Sequence, residues 1–491
     1  MPDEKVLLGR VRAAALDGDE MNTLDVLVVE NGYLATVDAD GTEIASGHLV
    51  VHGNRIVAVG AGPAPSAWAA RATRTVDASG CLLTPGLVNT HHHLYQWITR
   101  GLAQDGTLFQ WLSTLYPIWA GIDAEAVHAA AAADLAWMAL SGCTLSTDHG
   151  YVHPRGAGDV LEAEIVAAQA IGLRFHPTRG SMNLGQSQGG LPPDSVVEDH
   201  DEILRASAEA IDRWHDPAGD AMLQIGIAPC SPFSVTGELM RESAELARAR
   251  GVRLHTHLAE TVDEEEFCLA TFGLRPVDYA ESLGWLGEDV WLAHCVHLSE
   301  RDIATFARTG TGTAHCPTSN GRLGSGIAPV RGLLDAGAPV GLGIDGAASN
   351  EAGTMAEEMH QAMLFARLRN GPTALTARDC LRLGTIGGAR VLGRDRDLGS
   401  LEVGKLADLA LWRVDGLGAV DVADPVCALV FGNHTPLQLL VVNGRIVVDD
   451  AQLATADPET LGKAAQAASR RVVADAAGRH VAGDVAVASR A

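Results

Sequence analysis

The sequence predicts an α/β protein: a closed (β/α)₈ TIM barrel carrying a small composite β-sandwich formed from both chain ends. Three observations predict it. Eight short apolar strand candidates, each ending in polar residues, recur through the middle of the chain, and helix-like segments separate most of them. The two ends are β-rich and resemble each other. Six of the eight strand ends carry His, Asp or Cys, and the carboxyl ends of the strands are where such a barrel keeps its chemistry.

At the N-terminal end, "LDVLVVENGYLATVD", "GHLVVHGNRIVAVG" and "TRTVDASGCLL" alternate β-branched runs with Asn-Gly and Gly-Asn turns, a hairpin signature. "ADLALWRVD" and "LQLLVVNGRIVVDD" repeat it near the C-terminal end. These segments are expected to form one sandwich from residues 1–82 and 399–450, with about the first 20 residues disordered. Residues 451–491 contain the alanine-rich "PETLGKAAQAASRRVVADAAGRH", which reads as a surface helix followed by a loose tail.

Residues 83–398 are assigned to the barrel. The strand candidates are Leu87–His91, Cys143–Asp148, Leu173–Thr178, Met222–Ala228, Val252–His257, Val290–His294, Thr311–His315 and Val340–Asp345. "VTGELMRESAELARARG" is a helix capped by Thr236 or Ser234 and ended by Gly251. An open doubly wound sheet is the alternative, but no GxGxxG follows the first strand.

Composition removes several classes. The chain has 491 residues and a formal charge of −25, which repels nucleic acid and anionic membranes. No run of 18 apolar residues occurs, so no membrane-spanning helix is expected. The acidic start does not suit a signal peptide, and a soluble, cytoplasmic protein is expected. Eight scattered cysteines without a CxxC pair argue for buried thiols, not disulfides or zinc fingers.

The strand ends supply a metal-binding pattern. In extended backbone, residues i and i+2 share a face, so His91 and His93 of "NTHHHLYQW" converge while His92 points elsewhere. His257 lies at the mouth, His255 one layer behind it, and Asp345 of "GLGIDG" completes a His₃Asp set. Imidazole and carboxylate suit one divalent ion, zinc first and iron second. Glu260, three residues past His257, is a candidate proton shuttle. His294 is a candidate electrophilic or orienting group, and His315 a supporting one. Cys230 follows the fourth strand and is read as packing against or lining the pocket rather than as a metal-bridging thiolate.

These residues resemble the amidohydrolase superfamily. "PGLVNTHHH" is similar to its HxH motif, "HTHLAE" to the HxxE of its deaminase branch, "LAHC" to its sixth-strand histidine and "GIDG" to its eighth-strand aspartate. The resemblance implies metal ligands His91, His93, His257 and Asp345, with Glu260, His294 and Asp345 catalytic. Some members bridge two metals with a carbamylated barrel lysine. The only lysines here are Lys5, Lys405 and Lys463, so one metal is expected, and cyclic-amide hydrolysis that needs the bridge is disfavoured. A non-catalytic barrel would show gaps in the ligand set, and none is visible.

Within the branch, "LFQWLSTLYPIW", "GSMNLGQSQGGLPPDSVVED" and "HCPTSNGRLGSGIAPV" are most similar to 8-oxoguanine deaminases, with isoxanthopterin deaminases and hydroxyatrazine-type aminohydrolases also similar. The implied reaction is hydrolytic deamination of an electron-poor heterocycle, 8-oxoguanine to urate and ammonia, with isoxanthopterin, guanine or a triazine as alternatives. A homo-oligomer is implied as well. Substrate contacts are expected from Gln96, whose amide can both donate and accept on a ring edge. Arg179 is expected to donate to a ring carbonyl, and Trp111 and Tyr116 to stack on the ring. Gly321, where the family carries a larger residue, would enlarge the pocket if it faced substrate.

Overall fold

A computed structural model describes residues 25–432 and 435–488; the first 20 or so residues, read above as disordered, lie outside them. The eight barrel strands are β6 (Leu87–Asn89), β7 (Cys143–Gly150), β8 (Arg174–Ser181), β9 (Gly226–Pro229), β10 (Leu254–Leu258), β11 (Val290–His294), β12 (Gly312–His315) and β13 (Val340–Leu342). They are parallel and close in sequence order, the seam lying between Leu342 and Asn89. The predicted helix between β9 and β10 spans Gly237–Arg250. Thr236 accepts from the Leu239 N–H as its cap, and Gly251 ends it in the left-handed conformation, φ 68°.

β6 and β13 are shorter than expected, and the reason lies at their ends. The Asn89 side-chain oxygen takes the Ile344 N–H (2.9 Å), replacing a ladder bond. His91 and Asp345 follow the last paired residues, tied to each other by the Asp345 N–H to His91 O bond at 3.0 Å, and the chains turn over the barrel mouth from there. Gly343 permits this close approach, because a Cβ there would lie 2.7 Å from His91 Cβ.

Before the barrel come β1 (Val26–Ala35), β2 (Glu43–His52), β3 (Arg55–Ala61), β4 (Arg74–Asp77) and β5 (Cys81–Pro85). After it come β14 (Leu409–Arg413), β15 (Leu437–Val442), β16 (Arg445–Asp449) and β17 (Gln452–Leu453). Antiparallel pairing of β5 with β14 unites the two chain ends in one sheet. Leu27, Val51 and Ile56 from one half share a core with Leu409, Val441 and Ile446 from the other, so the sheet folds over itself as a sandwich.

The helix Pro458–Ala488 continues where a loose tail was expected. It is also not a free surface element. Ala468 and Val472 are buried in the same cluster as the helix Leu108–Trp119, which covers the barrel mouth, and Arg471 makes a bidentate pair with Asp123 at 2.7 and 2.8 Å.

The other end of the barrel is sealed. Trp291 is fully buried, stacks on His255 (4.5 Å, 16°) and donates its indole N–H to Thr90 O. Below it, Arg174 of β8 pairs in bidentate fashion with Asp408, just before β14, at 3.0 and 3.1 Å. The same guanidinium donates to the carbonyls of Asp220 and Ala221, and Asp408 also accepts from the Asn443 N–H. Barrel and sandwich thus meet through a buried, fully partnered ion pair. Asp408→Ala is expected to leave the Arg174 charge buried without a counter-charge. A loss of about 3–5 kcal/mol, read as a lower denaturant midpoint, checks this.

Candidate active site

The histidines at the strand ends are oriented from behind. His255 donates Nδ1–H to Trp291 O (2.9 Å), and burial pushes its pKa down to about 3, so its ring is neutral and its Nε2 must accept. His91 Nδ1, 2.7 Å away, is the donor to it. His93 gives its Nδ1–H to His149 O at 2.8 Å, and His257 gives its own to Cys230 O at 2.6 Å. In all three rings the proton is on Nδ1 and the lone pair on Nε2.

Those lone pairs face one another. His93 Nε2 and His257 Nε2 are 3.1 Å apart with no proton left to share, and buried His91 Nε2 has no hydrogen-bond partner. Asp345 Oδ1 approaches them at 3.3 Å from His93 Nε2 and 3.5 Å from His91 Nε2. Neutral nitrogen donors and a carboxylate gathered around one point, with an orphaned buried nitrogen, fit a divalent cation. Two overlapping donor sets can be drawn, each with ligand atoms within 4.8 Å of one another: His91, His93, His149 and His257, and His91, His294 and Asp345.

The acid–base groups adjoin this cluster. Glu260 is buried, and burial, then the Asp345 charge, pushes its carboxyl well above the usual range. His294 Nε2 lies 3.7 Å from Glu260 Oε2 and 3.9 Å from Asp345 Oδ2, its ring held from behind by Asn320 Oδ1 at 2.9 Å. Asp345 Oδ2 accepts from Ser319 Oγ (2.6 Å) and Oδ1 from the Gly346 N–H (2.7 Å). Glu264 clamps the backbone, its two oxygens taking the N–H groups of Ala259 and Glu260 at 2.9 and 2.8 Å. Ala259, His294, Cys295 and Asp345 all have left-handed backbones, φ 50–71°, a conformation that non-glycine residues adopt at a cost.

Above the cluster lies a narrow cavity. His93, His257, Glu260, His294 and Asp345 reach it from the strand ends, and Gln96, Trp111, Tyr116 and Cys230 from the sides. Gln96 Oε1 is buried without a partner. Its amide lies so close over Gly346 that a Cβ there would displace it. Trp111 and Tyr116, both on the covering helix, commit their polar ends to Ala348 O and Met182 Sδ, leaving ring surface for the cavity. Burial pushes the Cys230 thiol up to about 12, so it stays a neutral wall group rather than a thiolate.

Two expected positions lie elsewhere. Arg179 is not among the cavity residues. It pairs with Glu198 at 2.5 Å and lines a separate groove with residues of the helices Val160–Ile171 and His200–Trp214. The strand β8 runs on to Ser181, and strand alternation gives Arg179 the parity of Phe175, which faces the helix layer. Gly321 points at Phe365, where a Cβ would meet the ring at 2.9 Å, so it does not enlarge the cavity. His92 turns away, as its spacing predicts, and bonds Asp134 (2.7 Å). His315 is buried and is not among the cavity residues.

Four groups escaped the sequence reading: His149, Glu264, Ser319 and Asn320. His149 follows the expected end of the second strand by one residue, so the strand-end rule itself could have found it. Ser319 and Asn320 act through contacts between elements, 26 residues away in sequence, and Glu264 acts on the turn four and five residues before it.

The Amidohydrolase family pattern matches residues 82–447. The chain is 45% identical to an 8-oxoguanine deaminase of Pseudomonas aeruginosa, over 90% of this chain and 97% of that one. It is 37% identical to an isoxanthopterin deaminase of an unknown prokaryotic organism, over 86% and 91%. Among solved structures, the zinc complex of an atrazine chlorohydrolase from Arthrobacter aurescens TC1 superposes with a TM-score of 0.85 at 34% identity, covering 90% of this chain and 100% of that one. A match of that extent, over the whole barrel and most of the sheet segment that follows it, decides the affiliation: the chain belongs to the amidohydrolase family.

Proposed function

We propose that the protein hydrolytically deaminates 8-oxoguanine to urate and ammonia. One divalent ion, zinc, is held by His91, His93, His257 and Asp345. The observation that carries this reading is the convergence of Glu260, His294, Asp345 and the Gln96 amide, its Oε1 unpartnered, on one cavity above the imidazole cluster. The 45% identity to an 8-oxoguanine deaminase supports the choice of ring.

A bound divalent ion supplies Lewis acidity and lowers the pKa of water toward neutrality. The residues of the chain do the rest. Glu260 accepts a proton from the attacking water and delivers it to the ring nitrogen beside the amino-bearing carbon, making that carbon more electrophilic. Its burial suits this exchange, because a carboxyl with a raised pKa can both take and return a proton near neutrality. Asp345 receives the second proton and assists loss of ammonia, and its position is kept by Ser319 and the Gly346 N–H. His294, steadied by Asn320, offers its Nε2 edge to the attacked centre. Gln96 binds the ring edge, while Trp111 and Tyr116 exclude water from above.

Replacing Glu260 by Gln is expected to lower kcat/KM by about 10²–10⁴-fold, with zinc content by elemental analysis equal to wild type. Loss of zinc along with activity would instead make Glu260 part of the binding set. Ammonia release is expected to be fastest from 8-oxoguanine in a panel with isoxanthopterin, guanine and hydroxyatrazine. A faster rate on one of the others reassigns the ring, and zinc-loaded protein that releases no ammonia from any of them overturns the deaminase reading.

A further inference from the structure

We propose that Glu358 is a positioning residue for this reaction: from the helix Met355–Asn370 it ties together the two segments that hold Asp345 and His294 in place. The inference rests on the roles given to those two residues above and goes on to what keeps them there. Glu358 lies in the first turn of its helix, is fully buried, and is not among the cavity residues.

One segment is the chain that leaves β13. Glu358 Oε1 accepts from Asn350 Nδ2 at 2.6 Å. The same amide group donates to Ile344 O at 2.8 Å, and Asn350 Oδ1 accepts from the Gly353 N–H at 3.2 Å. Asn350 thus closes the loop 344–350 on itself, and Glu358 fastens it to the helix. Asp345 and Ser349 lie within that loop, with Ser349 Oγ 3.3 Å from Asp345 Oδ2.

The other segment is the short helix Pro317–Arg322. Glu358 Oε2 accepts from the Thr318 N–H at 3.3 Å. The next two residues are Ser319, which donates to Asp345 Oδ2 at 2.6 Å, and Asn320, whose Oδ1 is 2.9 Å from His294 Nδ1. Ser319 Oγ and Ser349 Oγ, one from each segment, are 3.0 Å apart.

Neither partner of Glu358 is charged, and burial pushes its carboxyl up to about 8, so the neutral form prevails at pH 7. The unequal distances suit that form: a carbonyl oxygen takes Asn350 closely, and a hydroxyl oxygen takes Thr318 loosely. What the site needs is a fixed oxygen acceptor. An apolar side chain of the same size would leave a buried Asn350 N–H without a partner and release the loop from the helix.

The test compares full-length, zinc-loaded Glu358→Met and Glu358→Gln with wild type. Methionine keeps the volume and removes both acceptors, whereas glutamine keeps the carbonyl. In Glu358→Met, kcat per bound zinc is expected to fall about 10- to 100-fold with KM within about threefold, and Glu358→Gln to stay within about threefold of wild type in both. In the crystal structure of Glu358→Met, Ser319 Oγ is expected to lie beyond about 3.5 Å from Asp345 Oδ2. A kcat in Glu358→Met within about threefold of wild type overturns the inference. Equal losses in the two variants, a loss carried by KM, or an unchanged Ser319–Asp345 contact overturn it too. Wild-type enzyme that releases no ammonia from any of the four compounds removes the proposed function, and the crystal contact then decides the positioning role alone. Should Glu358→Met fail to fold, Asn350→Ala cuts the same link from the loop side, with the same expected loss of kcat and the same overturning result.

Discussion

Lone pairs that face each other without a proton between them are the constraint on which this structure turns. Two neutral imidazoles cannot satisfy one another across 3.1 Å when each has already spent its proton elsewhere. The backbone and neighbouring rings enforce that expenditure. Trp291 O fixes His255, His255 fixes His91, and the carbonyls of His149 and Cys230 fix His93 and His257. The barrel therefore builds a hole for positive charge out of uncharged rings and one carboxylate. Each part is set by a hydrogen bond one step further from the centre.

Holding side chains in this way strains the main chain, and the strain is localised. Ala259, His294, Cys295 and Asp345 take left-handed conformations at the carboxyl ends of their strands, each costing on the order of 1–3 kcal/mol. Glu264 secures the first of these turns by taking two successive N–H groups, and the Gly346 N–H closes on Asp345 across the last. The buried Arg174–Asp408 pair and the continuous sheet keep the scaffold rigid enough to maintain such turns.

Much of the fold was legible because the barrel repeats one unit, and each unit leaves an apolar run with a polar end. The sheet joining both chain ends could be read from the likeness of "LVVHGNRIVAV" to "LVVNGRIVV". The separation of His91 and His93 from His92 follows from alternation alone. Arg179 shows the limit of that argument: strand parity is reliable only when the strand's end is known, and β8 runs three residues past its expected end. His149 was passed over for the same reason on β7. Ser319, Asn320 and Glu264 could not be read at all, since a serine on a short helix carries no mark of the distant carboxylate it bonds, nor an acid at a helix start of the preceding turn it holds.

The buried Trp291 has a wider consequence. With indole and aliphatic side chains such as Val88, Leu145 and Leu406 filling the far end of the barrel, the cavity opens toward the end beneath the Leu108–Trp119 helix, four of whose residues line it. Arrivals and departures share it. Spent ring and released ammonia must leave by the path the next molecule takes in, so each turnover clears the way for the one that follows.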